Sequence, residues 1–238
     1  MNELLESYCK QLHFGSNLVD NAKRIQGTDN IDFLMELFRL ELENRELKRK
    51  NMYIKQARFD VFKTFEDYSF EGIDIPLTIQ PEEIIATSFI EKKQNLVLYG
   101  KVGAGKTHMA IATGISACNR GKKVKFYRTA ALVNELVDAK KQGTIVKFMK
   151  CIEKSDLLIC DEWGYVPVDT NGAKLLFQVI ADCYERKSLI ITTNLEFSKW
   201  NDIFYDEKLT AAYHRQNRSP QSLIGLKKGQ LAHRKLID

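Results

Sequence analysis

The chain has 238 residues, of which 44% are hydrophobic and 28% charged, and 36 Lys and Arg against 31 Asp and Glu leave a net charge of +5. This is the composition of a soluble globular protein of one or two domains; there is no internal repeat, no low-complexity tract and no apolar run that approaches a membrane span. The mild basic excess permits a polyanionic partner without requiring one.

Five cysteines stand at positions 9, 118, 151, 160 and 183 with no C-x-x-C pair. An odd, irregular set points away from a disulfide framework or a zinc site and toward a reducing, cytoplasmic compartment. The N-terminus carries Glu3 and Glu6 and lacks the basic-then-apolar order of a signal peptide.

Residues 1–60 read as a helical N-terminal domain. Leu4, Leu5, Tyr8 and Leu12 fall on one face of a first helix, and Ser16 is a candidate cap for a second. Ile31 to Phe59 holds no Gly or Pro, and Phe33, Leu34, Leu37 and Phe38 give it an apolar side. Its later part changes character: Arg45, Lys48, Arg49, Lys50, Lys55 and Arg58 stand against a single acid, Glu46. Such a run reads either as a nucleic-acid contact or as a solvated helix face.

A linker is drawn over residues 61–93. Phe62, Phe65, Tyr68 and Phe70 alternate with acids and read as packing residues, while Pro76 and Pro81 break helices. Pro81 to Lys93 predicts a helix leading into the next strand.

Leu96, Val97, Leu98 and Tyr99 are an apolar run of strand length, followed by Gly100-Lys101-Val102-Gly103-Ala104-Gly105-Lys106-Thr107 and then a helical segment. The spacing G-x-x-x-x-G-K-[ST] between strand and helix is a P-loop. A triphosphate is a dense anion, so the loop must turn backbone N–H groups inward, and glycines permit the angles and the close approach. The candidate nucleotide cradle runs from Gly100, Lys101, Val102, Gly103, Ala104 and Gly105 through Lys106 and Thr107 to His108. Lys106 is assigned to the β- and γ-phosphates of ATP and the Thr107 hydroxyl to Mg²⁺.

From residue 94 strands alternate with helices. Strands are predicted over 95–99, 123–128, 156–160 and 188–193, and helices over 106–118, 130–141, 145–153 and 172–185. The alternation predicts an α/β fold, a parallel sheet flanked by helices. Leu157-Leu158-Ile159-Cys160 runs into Asp161-Glu162, a Walker B pattern. Asp161 is assigned to Mg²⁺ and Glu162 to the attacking water as general base. Phosphate transfer to a small acceptor has less need of the second carboxylate, so the pair favours hydrolysis. The strand 188–193 ends in Thr192-Thr193-Asn194, and Asn194 is positioned to orient that water.

With these elements in order, the chain resembles the IstB-like helper ATPases of insertion-sequence transposition, AAA+ proteins related to the DnaC and DnaI helicase loaders. The carrying residues are Gly105-Lys106-Thr107-His108-Met109-Ala110, Asp161-Glu162-Trp163-Gly164-Tyr165-Val166-Pro167, Leu176-Phe177-Gln178 with Tyr184-Glu185-Arg186, and Thr192-Thr193-Asn194-Leu195 with Phe197 and Trp200. Leu is usual where Trp163 stands. The resemblance runs from about residue 1 to Ala212 and implies an AAA+ core over 94–212. It also implies an ATPase that assembles as a homo-oligomer with ATP and DNA and delivers a transposase. A replicative helicase loader, or an ATP- and DNA-binding remnant without hydrolysis, remain the competing readings.

Beyond Ala212 the resemblance stops. The family continues with Asp-Arg, His-His-Ser and a later Gly-x-Ser/Trp-x-Arg string, which supply an arginine finger and a sensor 2 arginine. Here Tyr213-His214-Arg215-Gln216-Asn217-Arg218-Ser219-Pro220-Gln221-Ser222 follows. With TAT CAT CGA CAG AAT CGC TCA CCA CAG TCT as its codons, a one-base shift encodes Ile-Ile-Asp-Arg-Ile-Ala-His-His-Ser. The same shift turns codons for Gly229 to Arg234 into Gly-Ser-Trp-Arg-Ile. Residues 213–238 are therefore read as an aberrant, frameshifted tail, which the gene's nucleotide sequence tests. In ungapped register the finger falls on Gln216 and the sensor 2 position on Ala232.

Overall fold

The computed structural model describes residues 2–27, 29–76, 79–164, 170–183, 186–195 and 223–226. The chain divides into two compact units, Met1–Met52 and Tyr53–Asp238.

The first unit holds α1 (Asn2–Gln11), α2 (Leu18–Arg24) and most of α3 (Asn30–Ala57). The start of α3 is set by Asp29, whose carboxylate accepts the backbone N–H groups of Ile31 and Asp32 at 2.8 Å. Cys9, Leu18, Val19 and Leu37 form a small core with Phe14, Ala22, Ile25 and Phe33 packed on it. Glu41 is buried beside it and accepts from the Gly15 N–H at 2.9 Å and Arg45 Nε at 2.7 Å. Burial opposes the Glu41 charge, but the bonds from Arg45 and Gly15 outweigh it and hold the carboxyl below its usual range. Part of the basic run is thus committed within the helix: Arg45 to Glu41 and Lys50 to Glu46 at 2.7 Å. Lys48, Arg49, Lys55 and Arg58 are exposed.

The second unit runs in chain order β1 (Ile73–Asp74), α4 (Pro81–Ala86), β2 (Leu96–Gly100), α5 (Lys106–Asn119), β3 (Val124–Arg128), α6 (Thr129–Lys141), α7 (Ile145–Glu153), β4 (Leu157–Trp163), α8 (Thr170–Cys183), β5 (Ser188–Thr193) and β6 (Leu223–Leu226). The sheet order is β1-β6-β2-β5-β4-β3; every pairing is parallel except β1 with β6. Alternate strand residues feed two cores. Leu96, Leu98, Val124, Phe126, Leu157, Ile159 and Ile190 pack with Met109, Ile111 and Ile115 of α5. Val97, Leu158, Cys160, Leu189 and Ile191 pack with residues of α6 and α8, among them Leu132, Leu136, Leu176 and Val179. Each fully buried aliphatic side chain is worth about 1.5–3 kcal/mol, so a sheet covered on both faces needs these near-continuous apolar strands.

Phe59, Phe65, Tyr68 and Phe70 pack on the α5 side, with Phe65, Tyr68 and Phe70 in mutual ring contact. The helix predicted over 81–93 is shorter. Thr87 takes a left-handed conformation (φ 56°), which ends α4, and Ser88–Ile90 continue only as a 3₁₀ turn. Strand β6 was not predicted at all: Leu223-Ile224-Gly225-Leu226 is four residues long and inserts between β1 and β2. Among the described residues no helix is long and apolar enough to cross a membrane.

Candidate nucleotide site

The loop between β2 and α5 leaves the sheet at Gly100, whose φ of +152° and position allow no side chain: a Cβ there would lie 2.2 Å from the Leu226 carbonyl oxygen. Gly105 (φ 89°) precedes the first residue of α5, so the helix's first N–H groups face the loop. Lys106 is 7% exposed and donates through Nζ to the Gly100 carbonyl at 2.8 Å and the Lys101 carbonyl at 2.9 Å. Burial lowers its pKa, with Asp161 pulling the other way. Val102 and Gly103 lie exposed at the loop's tip, and Ala104 is buried. His108 Nε2 is 2.8 Å from the Thr64 carbonyl, and its ring lies 5.0 Å from that of Tyr68. Tyr68 closes over Gly105, and its hydroxyl is buried with no hydrogen-bond partner among the described residues.

Thr107 meets Asp161 across 54 residues of sequence: the Thr107 hydroxyl lies 2.9 and 3.1 Å from the two carboxylate oxygens. Asp161 is 1% exposed. Thr192 also donates to its Oδ1, and the Asp161 carbonyl accepts from Thr129 Oγ1 at 2.8 Å. Asp161 and Glu162 are consecutive, so a regular strand would send them to opposite faces. Here β4 is irregular: Cys160 pairs with Ile191 and Trp163 with Thr193, leaving two residues of β4 opposite Thr192 alone. Glu162 sits in that bulge with φ 57°. Bulges of this kind re-aim side chains beside functional sites.

The Glu162 carboxylate is 3.5 Å from Arg128, which also donates through Nε to Asp60 at 2.6 Å. These acids, Asp60 first, raise the Arg128 pKa. Asn194 is exposed in the bend after β5, and no hydrogen bond ties its side chain to Glu162 among the described residues. The loop, Lys106, Thr107, Asp161 and Glu162 therefore come together at the carboxyl ends of β2 and β4, where ligands bind in open α/β sheets. Sequence reading missed Thr192, Arg128 and Asp60. Thr192 was legible in principle as the residue two before Asn194, inward-facing on a buried strand; nothing local singles out Asp60. Tyr165, Val166, Pro167, Tyr184, Glu185, Phe197, Trp200, Gln216 and Ala232 lie outside the described residues.

Residues 16–216 match the protein family described as IstB-like ATP binding protein. A Geobacillus stearothermophilus protein, whose name assigns it ATP binding in insertion sequence IS5376, is 34% identical over 217 residues, spanning 89% of this chain and 86% of its own. Among solved structures, the replication initiator DnaA bound to AMPPCP and single-stranded DNA superposes with a TM-score of 0.55 at 22% identity. It covers 68% of this chain, which spans about half (49%) of that one. The DnaC helicase loader gives 0.54 at 22% identity, covering 69% of this chain and 96% of its own. At those identities the likeness shows the fold alone, an α/β domain whose mostly parallel sheet is flanked by helices.

Proposed function

We propose, because the chain belongs to the family of IstB-like ATP-binding proteins, that it is a DNA-dependent ATPase that assembles on DNA in the cytoplasm and assists the transposase of an insertion sequence. The observation that carries the catalytic part is the meeting of Lys106, Thr107 and Asp161 around one loop.

Lys106 now spends its donors on the Gly100 and Lys101 carbonyls; on ATP binding it exchanges them for β- and γ-phosphate oxygens. The Thr107 hydroxyl and Asp161 carboxylate are hard oxygen donors within 2.9 Å of each other, a set suited to Mg²⁺. That ion, when bound, would neutralise charge on the phosphoryl oxygens. Glu162 takes the proton of the attacking water, and Asn194 orients it. The basic residues Lys48, Arg49, Lys55 and Arg58 contact the phosphate backbone of DNA, so affinity is sequence-tolerant and falls steeply with salt.

The test compares nucleotide binding, turnover and DNA binding in three chains. Lys106→Ala loses ATP binding, and Glu162→Gln keeps it while losing hydrolysis. Unchanged ATP affinity in Lys106→Ala would sink the site assignment. DNA binding that ignores ionic strength would sink the DNA half, and co-purification with a replicative helicase instead of a transposase would make the protein a loader. The tail sequence favours a second reading, a chain that binds ATP but turns it over poorly, because Gln216 cannot act as an arginine finger. Restoring the shifted frame should then raise turnover by about 10³-fold or more; equal turnover removes that reading.

A further inference from the structure

We propose that Thr192 is the positioning residue of the hydrolytic site, its one hydroxyl fixing both carboxylate residues of β4. The inference rests on the ATPase reading above. A threonine hydroxyl has one proton to give and lone pairs to accept with. Here both are used: Thr192 donates to Asp161 Oδ1 and accepts the backbone N–H of Glu162 at 3.0 Å. It is the residue of β5 that faces the two-residue bulge. Glu162 lies in a left-handed conformation that a non-glycine residue holds only when its surroundings impose it. The bond from its N–H to Thr192 is one such imposition, and the neighbouring Trp163 carbonyl is tied down separately by Thr193 Oγ1 at 2.9 Å.

The arrangement divides labour between two threonines on Asp161. Thr107, half-exposed at the loop, contacts both carboxylate oxygens and is the partner exchanged when a cation enters. Thr192, buried at 1%, is the partner that stays and sets the carboxylate's rotation. A bulge without this hydroxyl would leave the Glu162 amide unpaired and the strand free to regularise, turning Glu162 toward the opposite face. Thr192 thereby couples the metal side of the site to the water side without touching nucleotide, and does so independently of Asn194.

The experiment uses the full chain as wild type, Thr192→Val, Thr192→Ser and Thr192→Ala. Its first readout needs neither metal nor nucleotide: exchange of the Glu162 amide proton followed by NMR. Loss of one bond should speed it by up to about tenfold in the valine variant, with serine within about twofold of wild type. The second readout is the Mg²⁺ concentration for half-maximal turnover, raised severalfold by valine and restored by serine, while metal-free nucleotide binding stays unchanged. Wild-type exchange and wild-type Mg²⁺ dependence in Thr192→Val, or a serine variant as impaired as valine, would overturn the proposal. Should the valine chain not fold, serine against alanine decides: equal behaviour overturns it and serine alone matching wild type supports it. If wild type turns over no faster than Glu162→Gln, the hydrolysis reading fails, and amide exchange alone still judges Thr192.

Discussion

Replacing Gly100 by alanine should destabilise the second unit through strand β6, on the sheet side of the phosphate loop. The new Cβ would lie 2.2 Å from the Leu226 carbonyl oxygen, a backbone atom with no rotamer to yield. Reaching ordinary contact requires the strands to part by roughly 1 Å or more, which stretches hydrogen bonds of about 2.9 Å beyond the limit of useful geometry. β2 and β6 share four residue pairs, Val97–Leu223 to Gly100–Leu226. Losing the two bonds nearest Gly100 costs about 2 kcal/mol, and the backbone angle adds about 1–2 kcal/mol. Set against the 5–15 kcal/mol typical of a domain, the sum of about 3–4 kcal/mol is large. Gly103→Ala is the internal control: its φ is +79°, but a Cβ there meets nothing within 4 Å. It should lose only the angular part, about 1–2 kcal/mol. Urea unfolding followed by far-UV circular dichroism, without nucleotide, measures both. Equal losses in the two variants, within about 0.5 kcal/mol, would refute the pairing of Leu223–Leu226 with the P-loop strand.

Three further outcomes are expected. Arg128 and Glu162 are 55% and 43% exposed and 3.5 Å apart, so their pairing is worth at most about 1 kcal/mol; Arg128→Gln should raise basal turnover no more than about fivefold, and Asp60→Asn, which releases Arg128 to Glu162, should lower it. A change beyond tenfold in either steady-state assay would mean that Arg128 acts on nucleotide directly. Tyr68→Phe removes a buried hydroxyl that has no partner among the described residues and should leave the melting temperature unchanged or higher; a clear drop would reveal a partner. Glu41 has a depressed pKa, so its contribution is present above the usual carboxylate range and lost as pH falls through the lower folded value. Unfolding of the first unit, monitored across that acid window, should lose this pH dependence in Glu41→Gln.

The parts of the site written as contiguous strings were legible in the sequence, because chemistry dictates their spacing. Gly100 to Thr107 must bend round a phosphate, and Leu157 to Cys160 must run through the core to bring Asp161 to the sheet's carboxyl end. The alternation of apolar strands with amphipathic helices gave the fold class for the same reason: a sheet covered on both faces leaves few polar positions. What was not legible depends on pairing between distant segments. The bulge at Asp161 and Glu162 exists only against Thr192, and no local signal distinguishes a bulged strand from a regular one. Arg128 and Asp60 are 68 residues apart and meet through the fold alone. β6 was missed because four residues interrupted by Gly225 carry too little pattern, and its stability comes from two neighbours already in place.

The position of β6 also bears on how the protein is made. The strand that leads into the phosphate loop sits in the middle of the sheet, yet both of its neighbours come late: β5 from residues 188–193 and β6 from 223–226. At about 5–20 residues per second, a ribosome needs roughly 6–25 seconds after Gly100 to reach Leu226. During that interval Leu96–Gly100 presents an open, apolar edge, the kind that captures foreign strands. A chain terminated before Leu223 keeps that edge permanently. Early stops in this gene should therefore yield polypeptides that aggregate or are degraded instead of shortened, working ATPases.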